Sequence, residues 1–386
     1  MSFINLVEPL AEEIKTRAGE FEKQGYVSQD IVRKLAEQGL YRLCNEEAYG
    51  GLSGTAEDYA QLTEYVATLD GSTAWVLFIG ITSALSYMNL PTEEVNVVFK
   101  EQTDITAGVF APMGRAFPDQ KDGVKGYRLS GRWQWGSGIR NSTFISAGGF
   151  VVDLDGRIQK TPQGLPDQRM FLLDVKDVDV LDTWHVSGLK GTGSTDFQTK
   201  DLFVSESRAF TLFSKHTPDT PVHRFPAFGF LAIGIAAVAL GLAKASLDEL
   251  TDIAIAKTPQ GSRKPLAMRS STQIRMALAT AKYRAARSLM YEEIRKIWSE
   301  AETSSELSVE ARRDLRLALT YTVMQCVEVV TEMYTLAGGS SVYETSPLQR
   351  YFRDIHVAQQ HMMVGEMTLE LTGRLFLDVE TDTSQL

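Results

Sequence analysis

The chain has 386 residues, 44% of them hydrophobic, and a formal net charge of −10 at pH 7. This length and apolar content suffice for more than one compact unit with a substantial core. The acidic balance argues against nucleic acid as a partner, because binding a phosphate backbone needs a basic surface. Cys44 and Cys326 form neither a metal-ligand spacing nor a disulfide framework, and the five histidines include no zinc-type pair, so we expect no metal site.

The first hundred residues are typical of a helical domain. Apolar residues recur at helical spacing over 6–21, and Ser28 is a suitable N-cap for a helix over 29–38. Further helices are predicted over 55–68 and 71–87. The N-terminus has no basic segment followed by an apolar run, so we expect no signal peptide and a cytoplasmic location.

From about residue 104 the hydrophobic period changes from helical to alternating. Large apolar and polar residues alternate over 127–135, and further strand candidates lie at 143–152 and 169–175. Glycine, aspartate and proline occupy the spaces between them. This section therefore predicts a small antiparallel β domain.

The rest of the chain predicts long helices. Four periodic segments, over 226–256, 268–299, 308–337 and 347–378, are joined by short breaks, which favours an antiparallel four-helix bundle. The predicted fold class is α+β and mostly α. An N-terminal helical domain, a middle β domain and a C-terminal bundle are expected at 1–103, 104–215 and 216–386.

One uncharged stretch, residues 225–243, is long enough to cross a membrane. Alanine and glycine are frequent in it, which suits close helix packing better than lipid contact. Globular sequence also flanks it on both sides. We therefore interpret it as a buried helix and expect no membrane association.

The glycine-rich segment 188–194 matches neither of the common nucleotide-binding motifs. Gly193 is followed by Ser194 instead of the lysine of a phosphate loop, and the third glycine of a dinucleotide fingerprint is missing. No Gly-x-Ser-x-Gly nucleophile elbow occurs in the sequence. The residues alone thus indicate an enzyme-sized α+β protein without a standard hydrolase or nucleotide motif.

Five local segments, in order along more than 300 residues, resemble the acyl-CoA dehydrogenase superfamily and its two-component flavin monooxygenase branch. They are EAYGG at 47–51, LDGSTAW at 69–75, LSGRWQWGSG at 129–138, WHVSGLKGTGS at 184–194 and LQRYFRD at 348–354. The resemblance implies the acyl-CoA dehydrogenase fold, with the same helix, β and helix order that the periodicity predicts.

The position of the catalytic base separates the two branches. In most dehydrogenases of this superfamily a glutamate follows nine residues after the arginine of an Arg-Asp pair, but here Arg353 plus nine is Met362. A methionine does not take up a proton. Other relatives place the glutamate at the start of the bundle, where no carboxylate occurs between Asp219 and Asp248. A dehydrogenase with a relocated base stays the alternative.

Glu366 and Glu370 are the candidates for such a relocated base, if their helix presents a different face. His361 stands immediately before Met362, at the point where the monooxygenase branch has a histidine facing flavin and substrate. The resemblance therefore favours the monooxygenase reading.

That reading implies the oxygenase component of a two-component system. Such a protein takes reduced FAD, or alternatively FMN, from a separate NAD(P)H flavin reductase and forms a C4a-hydroperoxyflavin with O2. It then hydroxylates or epoxidises a small aromatic or heteroaromatic substrate. The resemblance also implies a homotetramer assembled through the C-terminal helices.

The resemblance assigns roles to individual residues. His361 is the expected acid/base or hydrogen-bonding group, although a satisfied core histidine would fit the same position. Ser137 is the expected donor near flavin N5, with a simple strand-end residue as the alternative. The expected flavin-binding set is Ala111, Met113, Gly114, Trp135, Ser137, Thr192, Ser194, Arg263, Gln273, Gly338, Gly339 and Ser340.

The segment 75–83 is expected to line the substrate side. Trp75, Phe78 and Ile79 belong to it, and Met362 is expected to join them. Some relatives carry a histidine in this segment, and this chain has none there. The apolar lining favours a flat, weakly polar aromatic substrate such as indole.

Overall fold

The computed structural model describes residues 3–212 and 216–386. Its N-terminal part is helical, with local signals at the helix starts. Thr55 and Asp58 form a capping box, and the Asp70 carboxylate accepts the Thr73 amide at 2.7 Å. The five helices are α1 (Ala11–Gln24), α2 (Gln29–Glu37), α3 (Ala56–Leu69), α4 (Gly71–Ser86) and α5 (Thr92–Val98).

The middle part is one seven-stranded sheet in the order β5-β6-β2-β1-β3-β4-β7. Its strands are β1 (Thr106–Lys121), β2 (Val124–Gly136), β3 (Phe144–Val151), β4 (Gln168–Asp174), β5 (Asp179–Val180), β6 (Thr195–Ser205) and β7 (Ala209–Phe210). The expectation of a purely antiparallel sheet was wrong, because β1 and β3 pair in parallel. β2 runs antiparallel to β1 on one side. The chain then reverses direction again, so β3 runs parallel to β1 on its other side.

A bulge interrupts the pairing of β1 with β3 between Val109 and Gly114. Opposite the bulge, a Cβ atom at Gly148 would collide with the Phe110 carbonyl, so only glycine fits there. The Gly148 carbonyl instead accepts the Trp133 indole N–H at 2.7 Å. This side-chain contact joins β2 to β3 across β1.

The C-terminal part is a helical bundle. It contains α6 (Pro221–Arg224), α7 (Ala227–Ala256), α8 (Ser270–Thr303), α9 (Val309–Ala337), α10 (Pro347–Ala358) and α11 (Glu366–Phe376). The single helix predicted over 347–378 is broken at 359–365. His361 and Gly365 adopt extended backbone there, and the His361 side chain accepts the Met363 amide that a continuous helix would have used.

α7 is the central helix of the molecule and packs against α3, α4 and α9. A Cβ atom at Gly241 would collide with Ala67 on α3, which explains the small residues of the uncharged stretch. Two helices, Gly71–Asn89 and Ala227–Ala256, are long and apolar enough to cross a membrane, but 89% and 94% of their apolar windows are buried within the protein. Both therefore fit the role of core helices.

Candidate active site

Three buried hydroxyls join the end of β2 to the turn before β6. Ser137 Oγ lies 2.6 Å from Ser194 Oγ, which lies 2.7 Å from Thr192 Oγ1. Thr192 Oγ1 donates to the Leu189 carbonyl at 2.8 Å, and Ser137 Oγ accepts the Trp75 indole N–H at 3.1 Å. We call Ser137, Ser194 and Thr192 the hydroxyl relay.

The two ends of the hydroxyl relay fix the direction of every hydrogen in it. The Thr192 hydroxyl donates its one hydrogen to the Leu189 carbonyl, so Thr192 Oγ1 must accept a hydrogen bond from Ser194. Because the Ser194 hydrogen is then in use, Ser194 Oγ accepts a hydrogen bond from Ser137. Ser137 is left with a free lone pair and no free hydrogen. In this arrangement Ser137 can accept a further hydrogen bond but cannot donate one, unlike the donor role expected from the sequence.

The backbone around the hydroxyl relay is unusually bent. Leu189 and Gly193 have positive φ values of 49° and 54°, and Gly138 has a φ of 74°. Leu189 is held from two sides, because its amide donates to Asp354 Oδ1 at 2.6 Å and its carbonyl also accepts the Trp184 indole N–H. A strained leucine persists only when its surroundings fix it in this way.

Trp75 on α4 connects the hydroxyl relay to His361. Its ring centroid lies 6.0 Å from that of His361 and 4.9 Å from that of Phe78. Phe78 is fully buried, and Ile79 is partly buried between the helical core and the sheet. The structure thus brings together residues that the sequence assigned separately to flavin, catalysis and substrate.

His361 occupies the break between α10 and α11. Its Nδ1 accepts the Met363 amide at 3.2 Å, so the ring proton of the neutral form lies on Nε2. Burial, together with the positive charge of Arg316, lowers the pKa of His361 to about 4. The imidazole is therefore neutral at physiological pH and offers an Nε2–H donor, which fits the hydrogen-bonding role of the two expected from the sequence.

Met362 does not join this cluster, since its side chain is 66% exposed while its neighbour His361 turns inward. The two tryptophans of β2 also differ. Trp133 is fully buried and stacks on Phe197, but Trp135 is 63% exposed with a φ of +64°. A large exposed ring on a left-handed backbone is uncommon and points to a functional constraint.

The residues expected on β1 lie at its bulge. Ala111 is exposed, Met113 is partly buried and Gly114 is buried. A Cβ atom at Gly114 would lie 2.6 Å from the Trp133 ring, so this glycine is needed for packing inside the sheet. The bulge itself leaves the backbone of 110–113 out of register with β3.

The remaining residues expected at the flavin lie at one end of the bundle. Lys257 donates to the Ala337 carbonyl at 2.6 Å and so joins the turn after α7 to the turn after α9. Arg263 is exposed on the first turn, near Gln273, and the second contains Gly338, Gly339 and Ser340. Within the described part of a single chain, none of them contacts the hydroxyl relay.

Two buried polar groups in the helical parts, on His223 and Arg316, were not predicted from the sequence. His223 lines a cavity of about 60 Å³ together with Thr82, Ser86 and Phe228, and its Nε2 is buried without a partner. Burial lowers the pKa of His223 to about 4. Arg316 on α9 is 2% exposed. Its place in the apolar run 315–319 was the available signal, whereas nothing local marks His223.

Comparison with known proteins identifies the family of the chain. The family described as "Acyl-CoA dehydrogenase, N-terminal domain" matches residues 6–95, and "Acyl-CoA dehydrogenase, C-terminal domain" matches residues 233–366. The chain is 30% identical to indole-3-acetate monooxygenase from Acinetobacter baumannii over 372 residues, which cover 95% of this chain and 92% of that protein. It therefore belongs to the acyl-CoA dehydrogenase family, in its flavin-dependent monooxygenase branch.

Solved structures confirm the fold. The HsaA monooxygenase from M. tuberculosis superposes with a TM-score of 0.88 at 23% identity, covering 100% of this chain and 99% of that one. XiaF from Streptomyces sp., crystallised with FADH2 and glycerol, superposes with a TM-score of 0.87 at 24% identity, covering 98% and 95%. The predicted helix, β and helix order is thus confirmed.

Proposed function

We propose that this protein is the oxygenase component of a two-component flavin monooxygenase acting on a small aromatic or heteroaromatic substrate. The observation that carries the proposal is the cluster of Trp75, His361 and the hydroxyl relay, which meets where α4, the sheet and the α10–α11 break converge. A separate NAD(P)H flavin reductase supplies the reduced flavin, and the expected location is the cytoplasm.

The residues present fit a reduced flavin. Ser137 has a free lone pair and no free hydrogen, so it suits a ring N–H donor such as N5–H, which reduced flavin has and oxidised flavin lacks. The exposed Trp135 ring offers a flat surface for stacking. When bound, reduced flavin supplies the electrons for inserting one atom of O2 into the substrate and reducing the other to water.

The protein's own contribution is orientation and exclusion of water. His361 has a neutral Nε2–H donor, and its ring lies 6.0 Å from that of Trp75, where the donor would hydrogen-bond to reacting oxygen or to a substrate hydroxyl. Trp75 and Phe78 give this space aromatic walls. A dry, aromatic surround favours a flat substrate such as indole.

The alternative, an acyl-CoA dehydrogenase, lacks a base in this geometry. Glu366 and Glu370 both have exposed side chains on α11. Asp354 is buried, but it is occupied with the Leu189 amide on the far side of the hydroxyl relay. These positions leave His361 as the ionisable group next to Trp75.

For the form of the flavin, we favour FAD over FMN. Arg263, Gln273, Gly338, Gly339 and Ser340 gather at one end of the bundle, away from the hydroxyl relay, where they would meet the dinucleotide of a partner subunit. A homotetramer would provide that partner. Large apolar side chains exposed along the bundle support such an assembly, namely Met268, Ile274, Leu278, Tyr321 and Met324.

The proposal is tested by mixing the protein anaerobically with chemically reduced FAD and then adding ¹⁸O₂ with indole. We expect bound flavin to reoxidise more slowly than free flavin in the absence of indole, and one ¹⁸O atom to appear in the product. Reoxidation at the rate of free flavin, without label in the product, would contradict it. Reduction of bound oxidised FAD by an acyl-CoA would support the dehydrogenase instead.

A further inference from the structure

Arg316 is a buried cation without an anion. Its side chain on α9 is 2% exposed, and no carboxylate lies within 4 Å of it in residues 3–212 and 216–386. Its hydrogen bonds are a long one of 3.4 Å to the Phe228 carbonyl and a 3.9 Å contact to the Met363 sulfur. Its Nε has no acceptor. A guanidinium carries five donors, so most of its capacity is unused.

Such an arrangement is costly for folding alone. Removing a charge from water without pairing it is among the largest penalties in a protein interior. Arginine does not escape the penalty by losing its proton, since burial lowers the pKa of Arg316 only to about 10. A buried charge of this kind is therefore expected to meet its counterion in a bound molecule.

The two contacts of Arg316 lead to an apolar cavity on one side and to the His361 segment on the other. Phe228, whose carbonyl it contacts, lines the apolar cavity that also holds His223 and Thr82. Met363, which it contacts on the other side, donates its amide to His361. Arg316 thus contacts one residue that lines the cavity and one residue that is hydrogen-bonded to His361.

Resting on the proposed function, we propose that Arg316 binds the carboxylate of the substrate, and that the preferred substrates are aromatic acids with a short acidic side chain. The guanidinium would form a bidentate ion pair with the carboxylate, and the aromatic ring would lie against Trp75 and Phe78. A ligand that neutralises a desolvated charge gains most of its affinity from that contact.

The test compares two ligands that differ in the carboxylate. Indole-3-acetate and indole are titrated calorimetrically into the anaerobic protein loaded with reduced FAD. We expect wild type to bind indole-3-acetate at least about tenfold more tightly. In Arg316→Met this ratio of dissociation constants should fall by about tenfold or more. Arg316→Gln, which keeps a polar group of similar length but no charge, should lower this ratio as well.

Arg312→Met is the matched control. Arg312 lies one turn earlier on α9 and contacts the Thr383 carbonyl near the C-terminus, so its removal should leave the ratio unchanged. The melting temperature of Arg316→Met separates a structural role from a binding role. Since the unpaired charge costs stability, its removal should not lower that temperature, whereas loss of a structural arginine would.

Three results would overturn the inference. Wild type could bind both ligands equally, the Arg316 variants could weaken both by the same factor, or they could weaken reduced FAD while the ligand ratio persists. The last would assign the arginine to the flavin. Because binding is measured without turnover, these results are independent of the ¹⁸O experiment, whose failure would strike the monooxygenase function itself.

Discussion

The two sides of Trp75 differ in how far their hydrogen bonds are completed. Toward the sheet, the hydroxyl relay uses every hydrogen it has, from the Trp75 indole to the Leu189 carbonyl. Toward the bundle, Arg316 Nε and His223 Nε2 are buried without partners. Buried polar groups are normally satisfied, so the hydroxyl relay is complete within the protein, whereas Arg316 would be completed by the proposed ligand.

The largest expected effect is on product formation and comes from removing the His361 donor beside Trp75. His361→Ala should lower coupled product formation by about 100-fold, because one oriented donor at a reacting oxygen is typically worth that much. Hydrogen peroxide release should rise at the same time. The measurement is product and peroxide per flavin oxidised. His356→Ala is the control, since His356 on α10 contacts Thr331 and Gln359 instead. Unchanged coupling in His361→Ala would remove this residue from the reaction.

Breaking the completed side should cost both stability and flavin affinity. Ser137→Ala leaves the buried Trp75 indole N–H without an acceptor and removes the donor to Ser194 Oγ, at a cost of roughly 1–3 kcal/mol of unfolding free energy. Reduced FAD should bind several-fold more weakly, while the affinity for oxidised FAD should change less. Urea unfolding and anaerobic flavin titration measure the two effects. Ser142→Ala, which loses only a bond to the Gly138 carbonyl, serves as the control. Equal losses for both flavin states would contradict an acceptor role for Ser137.

The far end of the hydroxyl relay gives a pH dependence. Burial raises the pKa of Asp354 to about 7 from an ordinary value of 3.8. The folded state therefore holds a proton that the unfolded state has lost, so its stabilising contribution is complete below about pH 4 and is lost as pH rises to about 7. Asp354→Asn keeps an acceptor for the Leu189 amide and should flatten this fall, by up to a few kcal/mol. Urea unfolding at pH 5 and pH 8 tests it; an unchanged slope would show that Asp354 is ionised at both.

The smallest expected effect concerns the distant end of the bundle. Arg263→Ala should weaken reduced FAD by several-fold through loss of one charge-assisted contact. Lys264→Ala, its exposed neighbour, should change affinity little. Flavin titration over a range of protein concentrations, with the oligomeric state measured in parallel, would show whether the contact needs a partner subunit. If both variants weaken reduced FAD equally, a specific contact from Arg263 is contradicted, and only general electrostatic attraction between the flavin and the basic residues would account for the effect.

Sequence periodicity predicted most of the helices because each depends on local spacing. The helix predicted over 226–256 is observed as Ala227–Ala256, and that over 71–87 as Gly71–Ser86. The break at 359–365 was missed because the apolar pattern continues through His361-Met-Met-Val. What breaks the helix is one side-chain acceptor, the His361 imidazole, which periodicity does not register.

The sequence predicted individual residues of the site but not the hydrogen bonds between them. Ser137, Thr192 and Ser194 were named from resembling segments, but their mutual hydrogen bonds depend on folding two distant turns together. The parallel pairing of β1 with β3 is likewise set by sheet order, which local alternation does not encode. Arg316 and His223 belong to no motif. They stand out only because Arg316 Nε and His223 Nε2 are buried without hydrogen-bond partners, which the folded structure alone reveals.

The anchoring of Leu189 has a consequence for how the enzyme is assembled. Trp75 belongs to the N-terminal helices, the hydroxyl relay to the sheet and Asp354 to the bundle, and they form one continuous path that ends beside Gly71, at the start of the helix holding Trp75. A Cβ atom at Gly71 would lie 3.5 Å from the Asp354 carboxylate, so the path nearly closes on itself. Ser137 is therefore fixed as a hydrogen-bond acceptor only when the N-terminal helices, the sheet and the bundle are packed together. With any one part displaced, the Ser137 hydroxyl would no longer be held as an acceptor, and the proposed preference for reduced flavin would be lost.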